Sequence, residues 1–324
     1  MLLDPQRDYD LIGDVHGCAH SLECLLERLG YRQQAGVWRH PRRMAVFLGD
    51  IIDRGPRIRE ALHLVHGMVD AGQAQCIMGN HEFNALGWET PAPEGSGRQF
   101  VREHSPRHAR QLQETLQQFD AHPVDWRDFL GWFHELPLLL DGERFRVVHA
   151  CWDNQLIAQL RGQFHDARID QQFVAAASVP GSFAHQVFDR LLRGLNVRLP
   201  DGLAMTGDDG LTRSFFRSKF WEESPQTYGD IVFQPDALPE QVAGQPLSAS
   251  EKANLLHYPL EEPLLFVGHY WRRGEPAPLR PNLACLDYSA VNQGKLTAYR
   301  LDRETRLDPQ KFVWVDVESQ ETSR

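Results

Sequence analysis

Paired cysteines are missing from this sequence. Its five cysteines, Cys18, Cys24, Cys76, Cys151 and Cys285, include no Cys-x-x-Cys spacing. An odd count without that spacing argues against both a disulfide framework and a zinc knuckle. Positive charge is also scarce. Against 44 Asp and Glu stand 34 Lys and Arg, a net charge of -10. General nucleic-acid binding, which needs a basic face, is therefore not expected. One anionic ligand in a locally positive pocket remains compatible with that balance. No apolar run approaches the ~18 residues of a membrane span. The first eight residues carry charges where a signal peptide has its apolar stretch. A cytoplasmic protein that touches no membrane is the expectation. Internal repeats and low-complexity tracts are absent as well.

What is present is an ordinary globular composition, 42% hydrophobic and 24% charged over 324 residues. The first 80 residues read as alternating strands and helices. Tyr9-Asp10-Leu11-Ile12 is a short apolar run. Leu22, Leu25, Leu26 and Leu29 follow helical spacing, which predicts a helix over Ala19 to Leu29 closed by Gly30. Met44 to Leu48 predicts a second strand, Ile58 to Val69 a second helix, and Gln75 to Met78 a third strand. Such alternation implies a parallel sheet, whose ligands gather at the carboxyl ends of the strands.

Further on, Pro91 to Gly97 reads as a loop, Phe100 to Phe119 as polar and helix-compatible, and Trp126 to Phe133 as a helix. Two apolar runs flank Asp141-Gly142, a hairpin turn signal. Residues 152–258 are the least readable, with a helical piece at Gln186 to Leu192, a turn at Asp208-Asp209-Gly210 and a Pro/Gly-rich stretch at 235–245. Leu264 to Val267, Leu283 to Leu286 and Leu296 to Leu301 resume and finish the sheet. The expected organisation is one domain over 1–324, with insertions at about 88–135 and 153–258.

Five motifs follow predicted strands: Gly13-Asp14-Val15-His16-Gly17, Gly49-Asp50-Ile51-Ile52-Asp53-Arg54-Gly55, Gly79-Asn80-His81-Glu82, Val148-His149-Ala150 and Gly268-His269. The second fixes five residue types, a chance event of roughly 10⁻⁶ per start position, whereas the last two are weak alone. The ordered set carries the signal. A divalent cation pair that clamps a phosphate and ionises a water needs several O and N ligands and one shared carboxylate. Asp14, His16 and Asp50 offer one metal O, N and O. Asp50, Asn80, His149 and His269 offer the other, with Asp50 shared. The set has no thiolate, which suits harder ions such as Mn²⁺ or Fe. Zn²⁺ is the alternative.

The motif set resembles the calcineurin-like metallophosphoesterase superfamily. Asp53-Arg54-Gly55, Gly79-Asn80-His81-Glu82 and the Tyr270-Trp271 that follows His269 narrow the resemblance to the phosphoprotein-phosphatase branch. That branch includes bacterial serine/threonine phosphatases and symmetrical diadenosine tetraphosphatases. The resemblance covers about residues 9–85, 145–152 and 263–271. It implies an α/β fold, a central β-sandwich flanked by helices with a helical insertion at the cleft. It also implies two divalent metals, Mn²⁺ first, and in-line attack by a bridging hydroxide. His81 then resembles the general acid, Asp53 the carboxylate that orients it, and Arg54 the phosphate clamp. A second phosphate-contacting arginine is expected from the later segment, with Arg213 and Arg217 as candidates. Cys151 stands where the protein phosphatases commonly have glycine.

Blander roles compete for several residues. Glu82 reads as a cap or salt-bridge partner in preference to a ligand. His104 and His108, at i, i+4 spacing, read as a solvated helix face. Cys18 and Cys151 read as packing residues. Trp152, Trp221, Tyr270 and Trp271 read as core or rim packing more than as base-stacking platforms. The expected activity is protein-phosphatase-like phosphomonoester hydrolysis of a phosphorylated protein or nucleotide. The alternatives are dinucleoside polyphosphate hydrolysis and, from another class, a non-catalytic metal-dependent binding scaffold.

Overall fold

The structure is a computed structural model, and it describes residues 3–200, 203–206, 212–233 and 238–317. The turn expected at 208–210 and part of the stretch at 235–245 lie outside the described residues.

The N-terminal part alternates as the sequence implies. Strand β1 (Asp8–Ile12) leads to α1 (Ala19–Leu29), a hairpin of β2 (Arg32–Gln34) and β3 (Val37–Arg39), then β4 (Arg43–Phe47), α2 (Ile58–Asp70) and β5 (Ala74–Cys76). Gly30 ends α1 in the left-handed region at φ 94°, its N–H returning to Glu27 and Leu26 carbonyls. Strand β2 is polar and exposed, while β3 buries Trp38 against the core, and strands of three residues are too short to show an alternation.

Helix α3 (Asn80–Glu89) begins at the motif itself. It buries Asn80 to Phe83 and Ala85 to Trp88, every side of the helix, so no apolar stripe marks it in the sequence. Helices α4 (Pro106–Phe119) and α5 (Pro123–Glu135) follow. Ser105 caps α4, accepting the His108 N–H at 3.3 Å, so the helix begins later than the polar stretch suggests. This separates His104 from His108. His104 precedes the helix and is sandwiched between Trp88 (centroids 3.6 Å) and Phe100 (4.2 Å), with Nε2 on the Trp88 carbonyl. It is an exposed, stacked ring that stands before the helix and not on its face.

Strands β6 (Leu139–Asp141) and β7 (Phe145–Val148) form the expected hairpin. Residues 153–193 are helical: α6 (Asn154–Gln163), α7 (Gln171–Ala176), α8 (Phe183–Val187) and a π-helical turn at Phe188–Leu192. Beyond them the segment changes character. Strand β8 (Asn196–Arg198) pairs β11 (Phe215–Arg217), and β9 (Met205–Thr206) pairs β10 (Thr212–Arg213). These ribbons have their own small core of Leu199, Met205, Phe216, Tyr228, Ile231, Val242 and Leu247. Strands β12 (Leu264–Val267), β13 (Leu283–Cys285), β14 (Asp287–Tyr288), β15 (Lys295–Leu301) and β16 (Phe312–Asp316) complete the described chain. The apolar run in β16 is itself a strand signal.

One sheet has the order β14-β15-β1-β4-β5, with β16 on β15. Its β1, β4 and β5 are parallel and β15 is antiparallel to β1. The other has the order β13-β12-β7-β6. Their inner faces meet through Tyr9, Leu11, Met44, Val46, Phe145, Val147, Leu264 and Phe266. The alternate residues Ile12, Ala45, Phe47, Leu265 and Val267 face the larger core with the helices. This is a β-sandwich with helices outside, and it brings the carboxyl ends of β1, β4, β5, β7 and β12 to one place. No described helix is long and apolar enough to cross a membrane.

Candidate metal centre

The chain turns sharply after β1, β4 and β12 to aim side chains. His16, Asp50, Asp53, Arg54 and His269 all have positive φ, between 43° and 70°. Such conformations are costly for non-glycine residues and cluster at functional sites. Close backbone approach makes the convergence possible. A Cβ on Gly49 would come within 2.4 Å of the Gly79 nitrogen, and one on Gly268 within 2.1 Å of Asp14 Oδ1.

Asp50 Oδ2 is the focus. It lies 3.3 Å from His149 Nε2, 3.7 Å from His16 Nε2 and 3.8 Å from His81 Nε2. The other ring nitrogens are tied back. Nδ1 of His16 meets the Ile52 carbonyl at 2.8 Å, and Nδ1 of His149 the Leu48 carbonyl at 2.7 Å. A carbonyl only accepts, so both Nδ1 atoms carry the proton and Nε2 presents a lone pair when the ring is neutral. His269 lies on the far side of His149, with Asp50, His149 and His269 donors within 4.8 Å of one another. Asp14 Oδ2 accepts the His269 N–H at 3.1 Å, while its buried Oδ1 has no partner among the described residues. The Asn80 amide sits between these groups, and with its NH₂ turned toward them it donates to His149 Nε2 at 3.2 Å and to His269 Nδ1 at 2.7 Å.

Electrostatics point the same way. Burial opposes charge on Asp50, yet His149, His81 and His16 outweigh it and hold its pKa well below the ordinary value. Burial also opposes charge on His149, but Asp50 raises its pKa to about 10. His16 and His269 go down, first by burial, then by Arg54 and Arg217 respectively. The Asp14 carboxyl is pushed well up by burial and then by Asp287, a buried acid outside the motifs. Crowded carboxylates, an orphaned oxygen and inward lone pairs are the donor set a hard divalent cation satisfies. The residues present fit a metal pair.

Beside the cluster, His81 Nδ1 is 2.5 Å from Asp53 Oδ2. Arg54 reaches His16 Nε2 with Nη1 (3.4 Å) and His81 Nε2 with Nη2 (3.2 Å), and its guanidinium lies 4.4 Å from the Trp271 ring centre. Arg217 donates to the His269 carbonyl at 3.2 Å, so it stands at the rim. Arg213 lies on the separate β9–β10 ribbon. Glu82 is a cap and not a ligand. Its carboxylate accepts N–H bonds from Asp50, Ile51, Ile52 and Gly79 at 2.8 to 3.2 Å. Burial and then Asp50 push its pKa up, while those donors favour the anion and leave no acceptor for a carboxylic proton.

Trp152, Trp221 and Tyr270 are buried, and half-buried Trp271 covers Arg54. Cys18 and Cys151 are buried. Sequence reasoning misses Thr115. This residue sits with Leu112 and Phe119 on the buried stripe of α4 and bonds Asp53 through its hydroxyl. A threonine on the apolar stripe of an otherwise polar helix is the signal available.

Comparison with known proteins agrees with this geometry. An asymmetrical bis(5'-nucleosyl)-tetraphosphatase PrpE of Halalkalibacterium halodurans is 45% identical over 74 residues, 22% of this chain and 30% of that protein. The same-named protein of Bacillus thuringiensis is 32% identical over 151 residues, 44% of this chain and 56% of its own. The chain thus spans little more than half the length of these relatives at most. A protein serine/threonine phosphatase from Saccharomyces cerevisiae with similarity to human phosphatase PP5 shares the fold. Its TM-score is 0.51 at 15% identity, over 97% of this chain and 81% of that one. The family profile of calcineurin-like phosphoesterases matches residues 9–176, a range that holds four of the five motifs and ends before Gly268-His269. With more than half its length matched in this way, the chain belongs to the calcineurin-like phosphoesterase family.

Proposed function

We propose that the chain hydrolyses phosphate monoesters with two divalent cations, Mn²⁺ first among them. Asp14, His16 and Asp50 would hold one ion, and Asp50, Asn80, His149 and His269 the other. Bound there, such a pair polarises phosphoryl oxygens and brings the pKa of a water near neutrality. The chain's own residues do the rest. Arg54, steadied on Trp271, offers two N–H groups to the phosphoryl oxygens in a fork suited to that geometry. His81 gives its Nδ1–H to Asp53, so protonation at Nε2 yields an imidazolium that the carboxylate stabilises. From Nε2 it protonates the departing oxygen, a contribution of about 10²–10⁴ in rate. Arg217 supports the rim.

The observation that carries this reading is Asp50 Oδ2 facing three imidazole Nε2 atoms at 3.3 to 3.8 Å, with Arg54 reaching two of the same rings. The test is turnover of 4-nitrophenyl phosphate by metal-stripped and Mn²⁺-reconstituted protein. Activity that returns with the metal and is lost in His81→Ala at unchanged metal content supports it. No turnover in any metal form refutes it and leaves a binding scaffold.

Dinucleoside tetraphosphate hydrolysis is the second reading, supported by the names of the curated relatives. Chromatography of products from diadenosine tetraphosphate distinguishes the modes. Two nucleoside diphosphates mean symmetrical cleavage, and a monophosphate with a triphosphate means asymmetrical cleavage. Faster phosphate release from phosphopeptides favours the first reading.

A further inference from the structure

We propose that Thr115, on a helix outside the strand-end motifs, is a positioning residue that aims Asp53 and thereby fixes the proton on Nδ1 of His81. The inference rests on His81 acting as the general acid. It assigns a role to α4, which has none in the metal cluster.

The Thr115 side chain is fully buried. Its hydroxyl donates to Asp53 Oδ1 at 2.5 Å and accepts the Asp53 N–H at 3.1 Å. One hydroxyl therefore holds this residue by carboxylate and backbone together. Asp53 sits at φ 69°, where a non-glycine residue stays only if its surroundings over-determine it. The second carboxylate oxygen, Oδ2, takes the His81 Nδ1 hydrogen bond. With both oxygens committed, rotation of the carboxylate would break both bonds. The imidazole then has one tautomer when neutral, with Nε2 facing Arg54 and Asp50.

Gln118 adds a second grip one turn later on the same helix face. Its Oε1 accepts from the Ile58 N–H at 2.6 Å, and its Nε2 donates to the Gly55 carbonyl at 3.1 Å. Leu112 and Phe119 anchor the helix in the core. The Asp53-Arg54-Gly55 loop is thus braced at both ends by α4. Packing alone would be served by valine, which has the same shape. The hydrogen bonds need the hydroxyl.

The experiment compares Thr115→Val and Thr115→Ser with the wild type, all reconstituted with Mn²⁺. Substrates are aryl phosphates of graded leaving-group pKa and one alkyl phosphate. An acid matters most when the leaving oxygen is most basic. Thr115→Val is expected to lose about tenfold more activity with the alkyl ester than with the most activated aryl ester, and Thr115→Ser to recover most of the difference. Equal losses for every ester, or a serine variant as defective as valine, would overturn the proposal. If the valine variant does not fold, Thr115→Ala replaces it under the same criteria.

A second readout needs no turnover. Proton NMR of the metal-free protein follows the downfield His81 Nδ1–H signal, assigned by its absence in His81→Ala. That signal should shift or exchange faster in Thr115→Val and return in Thr115→Ser. An unchanged signal refutes the positioning role. A wild type that turns over no phosphoester refutes the functional reading instead.

Discussion

The floor of the cleft and its rim are built by different means. Asp14, His16, Asp50, Asn80, His149 and His269 are all buried and stand where strands of both sheets end. The His16 and His149 rings are aimed by backbone carbonyls, and the loops that carry Asp50 and Asn80 are held by Glu82. Arg54, Arg217 and Trp271 are half-buried and rest on loops or a two-stranded ribbon. The Trp271 ring face covers Arg54, and a hydrogen bond to the His269 carbonyl ties Arg217 to the cluster. The floor therefore depends on the whole sandwich, whereas the rim depends on local segments. On the proposed reading, metal binding belongs to the first and substrate contact to the second, with Arg54 touching both.

The sharpest way to break that division is Asp50→Asn. The shape is kept, and an amide oxygen can still accept the His81 N–H that Asp50 Oδ1 takes at 2.9 Å. The negative charge that three imidazoles face is lost. Bound Mn²⁺, measured by elemental analysis after gel filtration, should fall, and turnover should drop by about 10³ or more. Circular dichroism should stay native. Full metal content with near-normal turnover would mean the floor does not carry the reaction.

Glu82→Gln addresses the floor through stability. Four N–H donors converge on two carboxylate oxygens, and a glutamine would turn its NH₂ toward some of them. Leaving buried donors unmatched should cost about 3 kcal/mol. Urea unfolding of the metal-free protein measures it. A variant as stable as the wild type would show that other bonds hold the Asp50 loop.

The contrast also explains what could be read in the sequence. Strands β1, β4, β7 and β12 alternate between two buried environments, and all but β7 end at Gly-polar pairs, so the sandwich and its polar strand ends are visible. Helix α3 is hidden because it is buried all round. The β2–β3 hairpin is hidden because its strands, three residues each, are too short to show a period. The meeting of His149 and His269 with the β1–β4–β5 ends depends on one sheet packing on another, which no local pattern encodes. Arg217 lies in a segment whose ribbons close on a core of only a few side chains. The Thr115 hydroxyl bonds a residue 62 positions away. Residues that act through tertiary contact leave a local trace only when they break a pattern, as a threonine on an apolar stripe does.

The gentlest test falls on the rim. The Arg54 guanidinium lies 4.4 Å from the Trp271 ring centre, and Trp271 stands two positions along the chain from His269. A cation–π contact at a partly exposed site is worth about 1 kcal/mol, roughly a fivefold effect. Trp271→Leu keeps an apolar side chain and removes the ring face. Arg54 should then sample more orientations, and KM for 4-nitrophenyl phosphate should rise about two- to tenfold with a smaller fall in kcat. Metal content and unfolding midpoint should match the wild type. If the variant instead loses metal or unfolds early, Trp271 supports the floor, and the line between the two regions must be drawn outside it.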